Sequence, residues 1–70
     1  MLRTVLIEKR GKRTQHEIAT QLGIGQKYLS KLELGQRNPS AEVMSKMTNL
    51  FKESPEVLFP DIFFGEDTPK

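Results

Sequence analysis

The stretch from Gln15 to Gly35, QHEIATQLGIGQKYLSKLELG, constrains the fold more than any other part of the chain. Thr14 stands where a side-chain oxygen can cap a helix, and Glu17 three residues later completes the reciprocal pattern in which each side chain satisfies the other's backbone N–H. Ile18, Ala19 and Leu22 then share one helical face, and Gly23 follows where a left-handed residue would end the helix. Ile24 packs in the turn. Tyr28, Leu29 and Leu32 form a second apolar stripe, on a helix of about Gln26 to Leu34 that Gly35 can stop. Ala19 is small where two helices must approach, and Gly23 supplies the backbone freedom their tight connection needs.

The order Gln15, Ile18, Ala19, Leu22, Gly23, Ile24, Leu29, Ser30, Lys31, Leu32, Glu33, Gly35, then Asn38, Pro39 and Ser40, resembles the Xre-type helix-turn-helix family of lambda-repressor-like DNA-binding domains. The resemblance covers about Arg10 to Phe59. TQ.EIA..LGI alone is a weak signal, whereas that segment followed by YLSKLE.G.RNPS is a strong one. It implies an all-α, compact five-helix domain that binds double-stranded DNA. The chain departs from the family between the first two helices, where the link is longer and Arg13 stands in place of an apolar residue. The family commonly pairs a first-helix arginine with the glutamate matched by Glu33, but the gapless position here is Glu8. Two arrangements remain: Arg10 substitutes from the next turn, or Glu33 bonds local backbone and Arg37.

Charge agrees with a polyanionic partner. Residues 1–37 hold eight lysines and arginines against three glutamates, a net +5, whereas residues 38–70 hold three lysines against six carboxylates, a net −3. The basic half contains the two-helix unit, as expected of a polyanion-binding face, although an unevenly charged solvated surface has the same composition. Seventy residues make one small domain, expected over residues 1–64 with a frayed tail at 65–70. A core of that size gives about 3 to 5 kcal/mol of stability. With no cysteine, thiol catalysis, disulfides and thiolate metal sites are excluded. The apolar runs Val5-Leu6-Ile7 and Val57-Leu58-Phe59 are far too short for a targeting core or a membrane span, so the protein is expected in the cytoplasm.

The remaining helices follow from pattern. Leu2 to Arg10 is expected as a first helix, burying Leu2, Val5 and Leu6 or Ile7, with Gly11 as its stop. Asn38-Pro39 marks a loop. Ser40 caps a fourth helix with Val43, Met44, Met47, Leu50 and Phe51 inward. Ser54-Pro55-Glu56 starts a short fifth, whose Val57, Leu58 and Phe59 close the core before Pro60 ends it.

Helix geometry sets the recognition chemistry. With Leu29 and Leu32 inward, Gln26, Lys27, Ser30 and Lys31 point outward or along the rim. Glutamine can pair bidentately with adenine, lysine can donate to guanine, and serine suits either base, so these four are the candidate base readers. The resemblance implies base reading at Gln26, Lys27 and Lys31, with Tyr28 divided between a base contact and partial burial with its hydroxyl near backbone. It also implies that Gln15, at the start of the helix before the turn, grips a phosphate and braces Gln26. Arg37 and Asn38 are candidate phosphate ligands in the following loop, with Thr14, Arg13 and Lys12 on the other side. Ala19, Gly23, Leu29, Leu32 and Glu33 are structural.

Enzyme readings lack their parts. His16 is the single histidine, and HEIAT has threonine where HExxH needs its second histidine, Thr20. No phosphate-cradling GxxxxGK, metal cluster or small-molecule site is evident, and no cofactor is expected. The expected function is a sequence-specific transcriptional regulator, a repressor acting as a homodimer on an inverted-repeat operator. Leu58, Ile62, Phe63 and Phe64 are the candidate dimer surface, or else they finish the monomer core. The alternative is a protein-interaction module that uses the same fold with DNA binding secondary.

Overall fold

In a computed structural model describing residues 2–64, the chain folds into helices α1 (Thr4–Arg10), α2 (Gln15–Leu22), α3 (Gln26–Glu33), α4 (Ala41–Phe51), α5 (Pro55–Leu58) and α6 (Pro60–Phe64). Residues 65–70, expected as a tail, lie outside the described residues. α2 packs on α3 and α4, α1 on α3 and α5, and α4 on α5. The shared centre contains Leu6, Ile18, Leu22, Leu29, Leu32, Met47, Leu58 and Phe59, all under 2% exposed. Each such side chain contributes about 1.5–3 kcal/mol by leaving water, so tertiary burial rather than helix propensity holds helices of eight residues.

The turn chemistry around α2 is as the residues predict. Thr14 Oγ1 accepts from the Glu17 N–H at 3.0 Å, and Glu17 Oε1 accepts from the Thr14 N–H at 2.7 Å. Gly23 takes a left-handed conformation, φ 72° and ψ 31°, and lets Ile24 return its N–H to the Ala19 carbonyl at 2.9 Å. That reversal sets α3 across α2. Ser40 caps α4 through the Val43 N–H at 3.2 Å, and Val43, Met47 and Phe51 are its buried stripe, with Met44 and Leu50 half-buried beside them.

Three expectations need correction. Among the described residues there are six helices rather than five, because Pro60, expected to end the fifth, also begins a sixth. Phe59, held out of the helical region before a proline (φ −132°, ψ 63°), breaks the chain, and its carbonyl then accepts the Ile62 N–H at 3.1 Å. Val57 is exposed, leaving Leu58 and Phe59 to close the core. At the amino end Leu2 is exposed and Arg3 is buried. α1 starts only at Thr4, because the Arg3 N–H is drawn to the Glu33 carbonyl at 2.8 Å, which turns the Arg3 side chain inward and Leu2 out. Of the two open choices on α1, Leu6 is buried and Ile7 half-buried.

Candidate nucleic-acid interface

Helix α3 is anchored by Leu29 and Leu32, which leaves its other face free. Gln26, Lys27 and Lys31 are exposed and Ser30 is half-buried. Among the described residues none of the four makes a side-chain hydrogen bond, so their donors and acceptors remain open to a base edge. Tyr28 is not among the free groups. It is half-buried, and its hydroxyl donates to the Asn38 carbonyl at 3.2 Å.

That bond folds the loop back along the helix that precedes it. Gly35 supplies the reversal at φ 74°, and the Gln36 and Arg37 N–H groups both return to the Lys31 carbonyl, at 2.9 and 3.3 Å. The Arg37 guanidinium consequently lies over the Tyr28 ring, 5.8 Å from its centre, and remains exposed. A solvent-facing cation is thereby held beside the first turn of α3.

Glu33 closes the other end. It is 3% exposed and accepts from Arg10 Nε at 2.8 Å, from Arg10 Nη2 at 3.2 Å and from Gln15 Nε2 at 2.9 Å. Arg10 is therefore the partner that the departure from the family pattern left undecided, and Arg37 plays no part in holding Glu33. Gln15 is thus tied to Glu33 and is not seen bracing Gln26. With one amide hydrogen on Glu33, its second hydrogen and its carbonyl oxygen stay available.

The basic corner between α1 and α2 is partly committed to the fold. Arg13 donates from Nη2 to the Lys9 carbonyl at 2.9 Å and from Nε to the Arg10 carbonyl at 3.2 Å, capping the end of α1. Thr14 uses its oxygen and N–H in the capping box. Lys12 is exposed. Leu58 belongs to the core at 0% exposure, so the candidate dimer surface loses it. Ile62, Phe63 and Phe64 stay on the surface, exposed by 37, 45 and 63%.

One central residue escaped the sequence reading. Arg3 has a side chain only 1% exposed, and all five of its N–H donors find acceptors. Nε and Nη2 engage the Asp61 carboxylate at 3.0 and 2.8 Å, Nη1 reaches the carbonyls of Leu32 at 2.9 Å and Arg37 at 2.8 Å, and Nη2 also reaches Asn38 Oδ1 at 2.8 Å. The guanidinium lies 5.1 Å from the centre of the Phe59 ring. The hydrogen bonds and charge of Arg3 hold the Asp61 carboxyl below its usual range against a smaller opposing effect of burial. No local pattern announces this pair, since its members stand 58 residues apart.

Comparison with known proteins identifies the family of the fold. The family described as Helix-turn-helix matches residues 6–58. The chain belongs to that family, the Xre or lambda-repressor-like helix-turn-helix domains, a family of DNA-binding regulators rather than enzymes. Proteins named as uncharacterized HTH-type transcriptional regulators, from two strains of Mycobacterium tuberculosis, are each 37% identical over 46 residues, covering 66% of this chain and 33% of the relative. The chain thus spans about a third of the length of these curated relatives. No solved structure matches it.

Proposed function

We propose that the chain is a sequence-specific, double-stranded DNA-binding regulator of transcription that inserts α3 into the major groove. The observation that carries this reading is the free face of α3. Gln26, Lys27 and Lys31 are exposed and uncommitted on a helix that Leu29, Leu32 and Glu33 anchor in the core. Major-groove readout needs donors and acceptors held rigidly but left unpaired. Arg37, stacked on Tyr28, Asn38 and the free amide hydrogen of Gln15 supply the flanking phosphate contacts, with Thr14, Arg13 and Lys12 as lesser contributors.

One such domain spans few base pairs, so the reading includes a homodimer on an inverted repeat, with half-site centres about 34 Å apart. Its contact surface is the exposed row Ile62, Phe63 and Phe64. Occupancy of an operator excludes polymerase, which makes repression the direct outcome, in the cytoplasm where the DNA lies. Among the described residues no helix is long and apolar enough to cross a membrane.

The test is selection of bound sequences from a pool of random duplexes, followed by fluorescence anisotropy at low and moderate salt. The reading expects an enriched inverted repeat and an affinity that falls steeply with salt. Binding without enrichment, or no binding, would transfer the weight to a protein-interaction module.

A further inference from the structure

Arg3 lies in neither helix of the DNA-binding unit, yet it holds the loop that follows it. Its Nη1 fixes the Arg37 carbonyl and its Nη2 fixes Asn38 Oδ1, each at 2.8 Å. An arginine has only donors, so the Asn38 amide can meet it only through its oxygen. The NH2 group of Asn38 is therefore turned away from Arg3, on an exposed residue. A group that can only donate suits a phosphate. For Arg37, a pinned carbonyl behind and the Tyr28 ring beneath restrict a long side chain before any DNA arrives, which removes part of the ordering cost of binding. Asp61 faces Arg3 from α6, engaging Nε and Nη2 together, and so determines where the guanidinium sits.

We propose that Arg3, set in place by Asp61, is a positioning residue for DNA binding: it presents Arg37 and the Asn38 amide to the phosphate backbone without touching DNA itself. The proposal rests on the DNA-binding reading above. It differs from a purely structural role, in which Arg3 only raises the folded fraction and every folded molecule binds alike.

The experiment uses the full chain and the duplex that wild type selects, at 10 °C, with circular dichroism establishing that each variant is folded. Dissociation constants are measured by anisotropy over a range of salt for wild type, Arg3→Lys and Asp61→Asn. Arg3→Lys is also placed in an Arg37→Ala/Asn38→Ala background. The expected result is a loss of about tenfold for Arg3→Lys, the worth of one charge-assisted hydrogen bond, with a salt slope shallower by about one. In the doubly substituted background the same change should cost less than twofold. Should Arg3→Lys not fold, Asp61→Asn, which preserves shape but loses the charge and one of the two acceptor oxygens facing Arg3, decides the matter with a loss of the same sign and about threefold.

Folded variants that bind within twofold of wild type with an unchanged slope would overturn the proposal, as would an undiminished loss in the Arg37→Ala/Asn38→Ala background. Wild type that binds no duplex would instead overturn the DNA-binding reading, and the proposal with it.

Discussion

The side-chain amide of Gln15 donates to Glu33 Oε1 at 2.9 Å, tying the first residue of α2 to the last residue of α3. Arg10 holds the other carboxylate oxygen from α1 at 2.8 Å, so one buried carboxylate sets the relative placement of three helices. Glu33→Ala should therefore unfold the protein readily. Removing one partner of a buried pair costs about 3 to 5 kcal/mol, comparable with the whole stability of a domain this size. Urea denaturation of Lys9→Ala supplies the contrast. Its ion pair with Glu53 at 2.8 Å is about one-third exposed on each side, and its loss should move the midpoint by the equivalent of 1 kcal/mol or less.

Arg37→Ala should weaken binding about equally on matched and mismatched duplexes and make the salt dependence shallower by about one phosphate. Anisotropy titrations on both duplexes at several salt concentrations check this. A loss confined to one sequence would make Arg37 a base reader instead.

Asp61 predicts an acid-sensitive contribution to stability. Its folded pKa is lowered, chiefly by the hydrogen bonds from Arg3, so the unfolded chain takes up the proton first as pH falls. The contribution is complete at neutral pH, above the unfolded carboxylate value of about 4, and is lost as pH falls through that value toward the lower folded one. Asp61→Asn should be less stable than wild type at pH 7, and the difference should shrink below about pH 4. Thermal unfolding from pH 7 to pH 3 measures it, and a constant difference would contradict the assignment.

Phe63→Asp and Phe64→Asp should shift a monomer–dimer equilibrium toward monomer in sedimentation at micromolar concentration. Both side chains are exposed in the monomer, so neither change opens a cavity in its core. An unchanged equilibrium would remove α6 from the dimer contact.

Much of the fold was legible because its signals are local. Thr14 and Glu17 mark the start of α2, Gly23 marks its left-handed end, and the spacing of Leu29 and Leu32 determines which face of α3 is buried. Ser40 and the Val43, Met47, Phe51 stripe did the same for α4. What escaped depends on distant pairing. Nothing near Arg3 says that it is buried, since Asp61 meets it only after every helix has been placed. The same contact organises the carboxyl end, where Pro60 reads equally well as a stop or as the first residue of a new helix. Whether Gln15 was free or partnered also depended on where Glu33 came to rest. The exposed, uncommitted character of Gln26, Lys27 and Lys31 was legible as a face, whereas the posture of Arg37 required Tyr28 and the returning loop.

Whether α3 reads bases is decided by Gln26→Ala. Affinities of wild type and Gln26→Ala are measured on the selected duplex and on the set carrying every single base change within a half-site. The variant should lose discrimination at one position, by about 1 to 3 kcal/mol, and keep it at the others. An equal loss of affinity on every duplex, with base preferences intact, would contradict direct readout by Gln26.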